Sequence, residues 1–498
     1  MLSEATTATI LTSAGMRDAE ARAIESGAIT GWEMMQRGGE AVAEIITLSY
    51  QMMPVTVLCG PGNNGGDGFV TAAALQRSGW LVEVGCLVEP DALQGDAKRA
   101  AEAWGGIILP LEDITITRET LVVDALFGTG FNPPLSQEII TLFEQIALQG
   151  APLIAIDLLS GLQAETGFFE GLLPNAAITV TFGAKKPAHM LMPATLLCGV
   201  VACVDIGISA HVDDVGRSLQ IYENRPELWL SHFHWPQPGD HKYLRGSLVV
   251  LSGPKRMTGA SRLAAQAALR AGAGVVTLAA DGEAIDIHAA HVTAIMVHEA
   301  NSPQEFADFI AQIQHKAVVL GPGAGITQHT RECVLAALAT GKPTVLDADA
   351  LSVFEGDAQT LFDAVRGPVI MTPHSGELQR LFATNGLNED QPKWALAREV
   401  AQRSGMVCVL KGYDTVIASP DGRVVISNNG SPLLATAGSG DALAGIIGGL
   451  CAQGLPAFEA ACAGVSLHAE AARRFGLGLI AEDLPDMLPA VLNDLWQL

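Results

Sequence analysis

Apolar residues recur every three or four positions near the start of the chain, and that spacing predicts amphipathic helices over 15–28 and 32–49. The pattern then changes. Val55–Cys59, read VTVLC, predicts a buried parallel strand. It runs into the glycine-rich turn GPGNNGGDG (60–68) and a helical run at 69–79. The same alternation predicts a strand at 81–88, a helix at 92–104, a strand at 121–123 ended by Asp124, a helix at 137–148 and a strand at 152–156 that leads into Asp157 and Ser160. Between about 208 and 240 the alternation lapses into polar, His, Trp and Pro residues, which marks a domain boundary followed by a linker packed on a domain surface. It resumes with SLVVLSGP, the helix MTGASRLAAQAALRAGAG, and strands at 275–279, 317–320, 344–346, 369–371, 406–410 and 415–418. Strands alternating with helices imply α/β architecture with largely parallel sheets, here in two domains.

Length and composition agree. At 498 residues the chain exceeds one ordinary core, and with 49% apolar and 16% charged residues it is globular rather than disordered. A formal charge of -24 argues against nucleic acid and anionic membranes as partners. No apolar stretch reaches the ~20 residues of a membrane span, and the start lacks a signal-peptide pattern, so a cytoplasmic protein is expected. The 8 cysteines form no C-x-x-C pair and are expected as buried reduced thiols. The large apolar fraction makes self-association, a homo-oligomer, the expectation.

Candidate chemistry concentrates at the predicted strand ends. In 428–445, NNGSPLLATAGSGDALAG, the glycines Gly438, Gly440 and Gly445 surround Asp441, and a helical apolar run follows. Glycine lets backbone approach a ligand closely, and a helix N-terminus favours phosphate. Asp441 is then either a base for a hydroxyl aimed at that phosphate or a helix N-cap. In the first half, the strand, glycine turn and helix form the layout of a phosphate or dinucleotide site, although the sequence is neither G-x-G-x-x-G nor a P-loop. Asn63, Asn64 and Asp67 make the turn more polar than a plain one. Gly128, Thr129 and Gly130 make a second tight loop. Asn64, Asp124, Asp157 and Ser160 would share the carboxyl edge of the sheet, and oxygen donors suit a hard cation. In the second half, GPGAG (321–325), LDADAL (346–351), TPHSGE (372–377) and LKGYDT (410–415) occupy strand ends, with His374 on the same predicted edge as Asp441.

These residues carry a resemblance. NNGGDG, DALFGTG, the D-x-x-SGL…ETG run from Asp157 and VTFGAKKP (180–187) resemble the NAD(P)H-hydrate epimerase domain of the YjeF N-terminal family, over most of 15–207. The resemblance implies a Rossmann-like three-layer fold that binds hydrated nicotinamide dinucleotide through Asn63, Asn64, Gly65, Gly66, Asp67, Gly128, Thr129, Gly130, Phe131, Asn132, Pro133 and Pro134. It also implies a potassium ion on Asn64, Asp124 and Ser160, and Asp157 at the reacting ring. Leu159 replaces a usual proline, and FNPPLSQ after Gly130 lacks a basic residue often found there.

From about 242 onward, GASRLAAQAALRAGAG, GPGAG, DADAL, TPHSGE, KGYDT and ATAGSGDALAG resemble the ribokinase-like NAD(P)H-hydrate dehydratase domain, the YjeF C-terminal family. That resemblance implies ADP or ATP, with magnesium, on Lys411, Gly412, Tyr413, Asp414, Thr415 and Gly440, and hydrated NADH or NADPH facing Ala260, Gly323, His374 and Asp441. Thr293 and Ala294 stand where relatives usually have Pro-Glu. The expected layout is an epimerase domain over 1–215 and a dehydratase domain over 225–498. The expected function is nucleotide repair: Asp157 serves the epimerisation of R and S hydrates, and Asp441 the nucleotide-driven dehydration of the S form. The competing expectation is a vitamin or sugar kinase fused to a non-catalytic dinucleotide-binding module.

Overall fold

The computed structural model describes residues 8–131, 133–383, 386–388 and 390–497. It divides into two compact units, Met1–Tyr222 and Glu223–Leu498.

The first unit holds seven strands: β1 Val55–Cys59, β2 Val82–Cys86, β3 Ile108–Pro110, β4 Leu121–Ala125, β5 Leu153–Ile156, β6 Ile178–Phe182 and β7 Val200–Val204. Their order is β3-β2-β1-β4-β5-β6-β7, and every pairing is parallel. Alternate residues feed opposite faces. Val57, Cys59, Val123, Ala125, Ile154 and Ile156 join one apolar cluster, while Leu58, Val122, Leu153 and Ala155 join another. Helices cover both faces, giving three layers, which is why these strands read as continuous apolar runs. Chain order reverses between β1 and β4, so the loops after them flank a crevice at the carboxyl edge.

One element begins earlier than the sequence predicts. The helix after β1 spans Asn63–Arg77, so residues 63–68 of the stretch read as a glycine turn belong to its start. Glycine weakens a helix by about 1 kcal/mol relative to alanine. Here packing requires it. A Cβ at Gly65 would stand 1.9 Å from Gly60 O, one at Gly66 2.4 Å from Met35 Cε, and one at Gly68 2.6 Å from Ala125 Cβ. The glycines let the helix start press against the turn after β1, the helix Gly31–Ser49 and β4, which brings Asn64 and Asp67 to the crevice. Asp124 likewise lies inside β4 rather than ending it. The structure adds β3, β6 and β7 to the predicted strands.

The second sheet has ten strands: β8 Ile221–Glu223, β9 Ser247–Leu251, β10 Val275–Ala280, β11 Met296–Glu299, β12 Ala317–Leu320, β13 Thr344–Leu346, β14 Val369–Met371, β15 Val407–Leu410, β16 Thr415–Ala418 and β17 Val424–Ser427. Their order is β11-β10-β9-β12-β13-β14-β15-β16-β17-β8. Pairings from β11 to β15 are parallel, and β15, β16 and β17 pair antiparallel. The helix Ser439–Ala452 is buried from Ala442 onward, so it is apolar on all sides. It lies against the helix Thr258–Arg270, where a Cβ at Gly445 would come 2.0 Å from Ala264 O. Among the described residues no helix is long and apolar enough to cross a membrane.

The aromatic stretch of the boundary packs as a ladder. Trp229, Phe233 and Trp235 succeed one another at ring separations of 5.5 and 5.2 Å, and Trp235 stacks on Trp496. All eight cysteines are free thiols, and all but Cys203 are buried.

Candidate functional site

In the first unit a cavity of about 450 Å3 opens at the carboxyl edge of the sheet. The helix Asn63–Arg77 presents Asn63, Asn64 and Asp67 to it, and the loop after β4 presents Gly128, Thr129 and Gly130. The turn after β5 presents Asp157. Gly65 and Gly66 serve the packing beneath. Phe131, Pro133 and Pro134 do not line the cavity, and Phe131 instead packs on Phe127 with ring centres 5.4 Å apart. Asn132 lies outside the described residues.

Asp157 is held from every side. Its backbone has φ +64°, a left-handed conformation that an aspartate adopts only when its surroundings impose it. Asp157 N–H donates to Val180 O at 2.7 Å, and its carbonyl meets His189 Nε2 at 2.9 Å. Its carboxylate Oδ1 accepts from Lys186 Nζ at 2.6 Å and Thr181 Oγ1 at 3.0 Å, and Oδ2 from Thr129 N–H at 3.3 Å. Lys186 is 1% exposed and also donates to Thr181 Oγ1 and Phe182 O. Burial pushes the Asp157 carboxyl up, but the Lys186 charge and hydrogen bond, with His189 and Thr181, hold it below the usual carboxylate range. Burial and the Lys186 charge push His189 down to about 3, so its ring is neutral. A Cβ at Gly128 would stand 2.8 Å from Asp157 Oδ2 and 3.2 Å from Asn64 Oδ1. Only glycine admits both side chains there.

Asp124 is fully buried below this floor. Its carboxylate accepts from Ser160 N–H at 2.8 Å, Ser160 Oγ at 2.7 Å and Leu126 N–H at 3.1 Å. Burial pushes it up to about 6 against those hydrogen bonds. Ser160 Oγ also lies 3.2 Å from Phe127 O, and the buried Asn64 Nδ2 has no partner among the described residues. Asp124 and Ser160 are thus in direct contact, and Asn64 reaches the same edge from the helix. Among the described residues no group of three His, Cys, Asp or Glu side chains forms a metal cluster. The donors here are amide, hydroxyl and carbonyl oxygens around one carboxylate, a set that suits a hard cation.

The second unit carries a cavity of about 420 Å3, lined by Lys411, Gly412, Tyr413, Thr415, Ser439, Gly440 and His468 among others. Asp414 does not line it. Its carboxylate turns to Lys393 Nζ at 2.6 Å in a partly buried ion pair. At the glycine loop, Gly438 occupies the N-cap with φ 90°, and Asp441 stands three residues into the helix. Asp441 is therefore not the cap. Burial, with Asp347, pushes its carboxyl up to about 6, while Lys411 pulls it down and Asp349 adds to the rise. Lys411 Nζ donates to Asp347 Oδ1 at 2.8 Å, and Thr372 Oγ1 donates to the same oxygen at 2.7 Å. A Cβ at Gly440 would lie 3.5 Å from Lys411 Nζ and 3.8 Å from Asp347 Oδ2. Lys411 thus sits at the glycine loop and not at the Asp414 end of its own segment.

His374 caps the helix Ser375–Leu381: its Nδ1 accepts from Gly376 N–H at 3.0 Å, and Glu377 Oε2 accepts His374 N–H at 2.9 Å. Its loop bridges to Lys411 through Lys411 N–H donating to Pro373 O at 2.9 Å. Ala260 and Gly323 meet across a narrow gap, since a Cβ at Gly323 would lie 3.1 Å from Ala260 Cβ. Sequence reasoning left Lys186, Asp347, Thr372 and His189 without roles. Lys186 stood inside VTFGAKKP, yet nothing in that string separates it from its neighbour Lys185.

Residues 31–188 match the family model described as YjeF-related protein N-terminus, and residues 248–491 match that of NAD(P)H-hydrate dehydratase. The chain is 35% identical to the bifunctional NAD(P)H-hydrate repair enzyme Nnr of Moorella thermoacetica, over 98% of this chain and 97% of that protein. The chain belongs to the bifunctional NAD(P)H-hydrate repair enzyme family. The Escherichia coli member is 34% identical over 96% of this chain and 93% of its own length. Among solved structures, the ADP/ATP-dependent NAD(P)H-hydrate dehydratase of Bacillus subtilis, co-crystallised with ATP and Mg2+, is 30% identical. It covers 55% of this chain and 98% of its own, at a TM-score of 0.48.

Proposed function

We propose that this chain repairs hydrated NADH and NADPH with two active centres, one in each unit. The first epimerises the R and S hydrates at the hydrated carbon. The second dehydrates the S form at the expense of ADP or ATP. The observation that carries this reading is Asp441, a carboxylate raised to about 6, in the first turn of a buried helix beside Gly440 and Lys411.

Hydroxide is a poor leaving group, so dehydration begins by making a better one. Asp441 takes the proton of the substrate hydroxyl as its oxygen attacks the terminal phosphorus. The free N–H groups at the start of Ser439–Ala452, with Lys411 Nζ, stabilise the transferring phosphoryl. The C–O bond then breaks as the ring nitrogen lone pair forms a C=N bond and phosphate leaves. The adjacent ring carbon then gives up a proton to water, its C–H pair forms the ring C=C bond, and the C=N pair returns to nitrogen. Asp347 Oδ2, which faces Gly440 while Oδ1 holds Lys411, would hold magnesium brought by the nucleotide. When bound, that ion neutralises phosphate charge.

In the first unit, Asp157, kept ionised by Lys186, is the proton acceptor at the ring. Asn64, Asp124 and Ser160 would hold potassium, and the ion would offset the Asp124 charge beneath the dinucleotide. The free buried thiols support a reducing cytoplasmic setting.

The test gives purified R and S hydrates to the wild type, Asp157→Asn and Asp441→Asn, with ADP or ATP, and follows NADH absorbance and epimer ratio. Asp157→Asn is expected to consume the S form normally and to stall on R. Asp441→Asn is expected to interconvert epimers and lose about 10²–10⁴-fold in dehydration. In the wild type, kcat/KM for dehydration should rise with pH through a limb near 6, because the base works deprotonated. Wild-type dehydration by Asp441→Asn would refute the assignment. Accumulation of a stable phosphorylated product would point to a kinase.

A further inference from the structure

Epimerisation through loss and return of a hydroxyl needs proton transfer on both faces of a flat ring, and Asp157 serves one face only. The cavity has a second candidate wall. The helix Ser13–Glu25 turns Met16, Arg17 and Glu20 into it, whereas Asp157 enters from the turn after β5. Glu20 has no role in the reading above. Among the described residues it makes no hydrogen bond or ion pair, in contrast to Asp157, which is fully engaged. A second carboxyl, Asp67, is nine-tenths buried and lines the same cavity.

Resting on the epimerase reading, we infer that Glu20 is a second catalytic residue of the first unit, the proton donor on the ring face opposite Asp157. The groups facing Glu20 are Lys186, Asp157 and Arg17, with Asp67 nearby. Burial raises the Glu20 carboxyl above its ordinary value; Lys186 lowers it, Asp157 adds to the rise and Arg17 opposes it, leaving a net rise. Asp157 is shifted the other way by its direct contact with Lys186. Glu20 and Asp157 thus divide into an acid and a base, and Asp67, also raised by burial and by the charges of Asp157 and Glu20, is the competing donor that Asp67→Asn separates.

The step balances. Glu20 gives its proton to the hydroxyl on the hydrated carbon. The C–O bond breaks, the ring nitrogen lone pair forms a C=N bond, and water leaves. A second water bonds to the same carbon from the Asp157 side, the C=N pair returns to nitrogen, and the water's proton passes to Asp157. One water is lost and one gained, and nothing is oxidised or reduced. Exchange of protons with solvent resets the pair, and the reverse reaction uses the same two groups with roles exchanged.

The test uses the full chain with Glu20→Gln, Glu20→Asp and Asp67→Asn. The melting transition of each variant is the measure of an intact first unit, dehydration of pure S hydrate that of an intact second unit, and wild-type epimerisation of R hydrate that of the underlying reading. With the wild type active, Glu20→Gln should lose about 10²–10⁴-fold in epimerisation. Glu20→Asp should recover part of this, and the alkaline limb of the wild-type pH profile should disappear in Glu20→Gln. Epimerisation in 18O-water should place one solvent oxygen on the carbon per inversion. Wild-type epimerisation by Glu20→Gln, a loss confined to Asp67→Asn, or retention of the original oxygen would each overturn the assignment. An inactive wild type would instead overturn the epimerase reading itself.

Discussion

Replacing Gly440 by alanine separates a glycine kept for a ligand from one kept for packing. A methyl at Gly440 meets nothing closer than Lys411 Nζ at 3.5 Å and Asp347 Oδ2 at 3.8 Å, which is ordinary contact. Gly440 is also the second residue of the helix Ser439–Ala452, where alanine is the better helix former by up to about 1 kcal/mol. Without nucleotide, Gly440→Ala should therefore melt at the wild-type temperature or ~2 °C above it. The same methyl occupies the space in which a phosphate oxygen would meet the helix N–H groups. A tenfold loss of affinity, about 1.4 kcal/mol, is the minimum expected. At a nucleotide concentration near 100 times the wild-type dissociation constant, ligand stabilisation would fall from about 2.7 to about 1.4 kcal/mol. Gly445→Ala is the control. Its Cβ would strike Ala264 O at 2.0 Å, so overpacking should cost about 1–3 kcal/mol or more, with affinity in the folded fraction little changed. Calorimetric melts and isothermal titration with ADP and ATP measure both quantities. Unchanged nucleotide affinity in Gly440→Ala would place the phosphate elsewhere and refute the reasoning.

Lys186→Met strips the cation from Asp157, which is 14% exposed, and breaking such a pair costs about 3–5 kcal/mol. Because Lys186 holds the Asp157 pKa below its unfolded value, the wild-type advantage should be full at neutral pH and fade as acid protonates Asp157. Melts of wild type, Lys186→Met and the double variant with Asp157→Asn check this, and equal stability of wild type and Lys186→Met at pH 7 would count against the pair. Exchanging tetramethylammonium for potassium at constant ionic strength should raise the melting temperature of the wild type and leave Asp124→Asn unmoved. Identical wild-type melts in both salts would remove the cation from the proposal.

The α/β class and most parallel strands were legible because a strand buried on both faces must be largely apolar, as β1, β4 and β5 are apart from Thr56 and Asp124. The family was legible because short strings such as NNGGDG and GSGDALAG carry backbone constraints that few residues satisfy. Local sequence also placed Asp124 beside Ser160 on one edge, since both follow from strand periodicity. It could not tell whether Asp441 caps its helix. That depended on where the helix begins, and Gly438 in a left-handed conformation moved the start three residues upstream. Nor could it tell that the glycines of 65–68 pack a helix against the sheet, because their neighbours Met35, Gly60 and Ala125 come from other elements. Lys186 over Asp157, Lys411 over Asp347, and Asp414 turned away to Lys393 were equally invisible. The sequence by itself determined most of the strands and helices, β3, β6, β7, β8, β11 and β17 apart, because periodicity is a local consequence of burial. Only the tertiary structure decided which charges meet, because a contact across 29 or 64 residues depends on how whole elements stack, and burial then sets the protonation of each group.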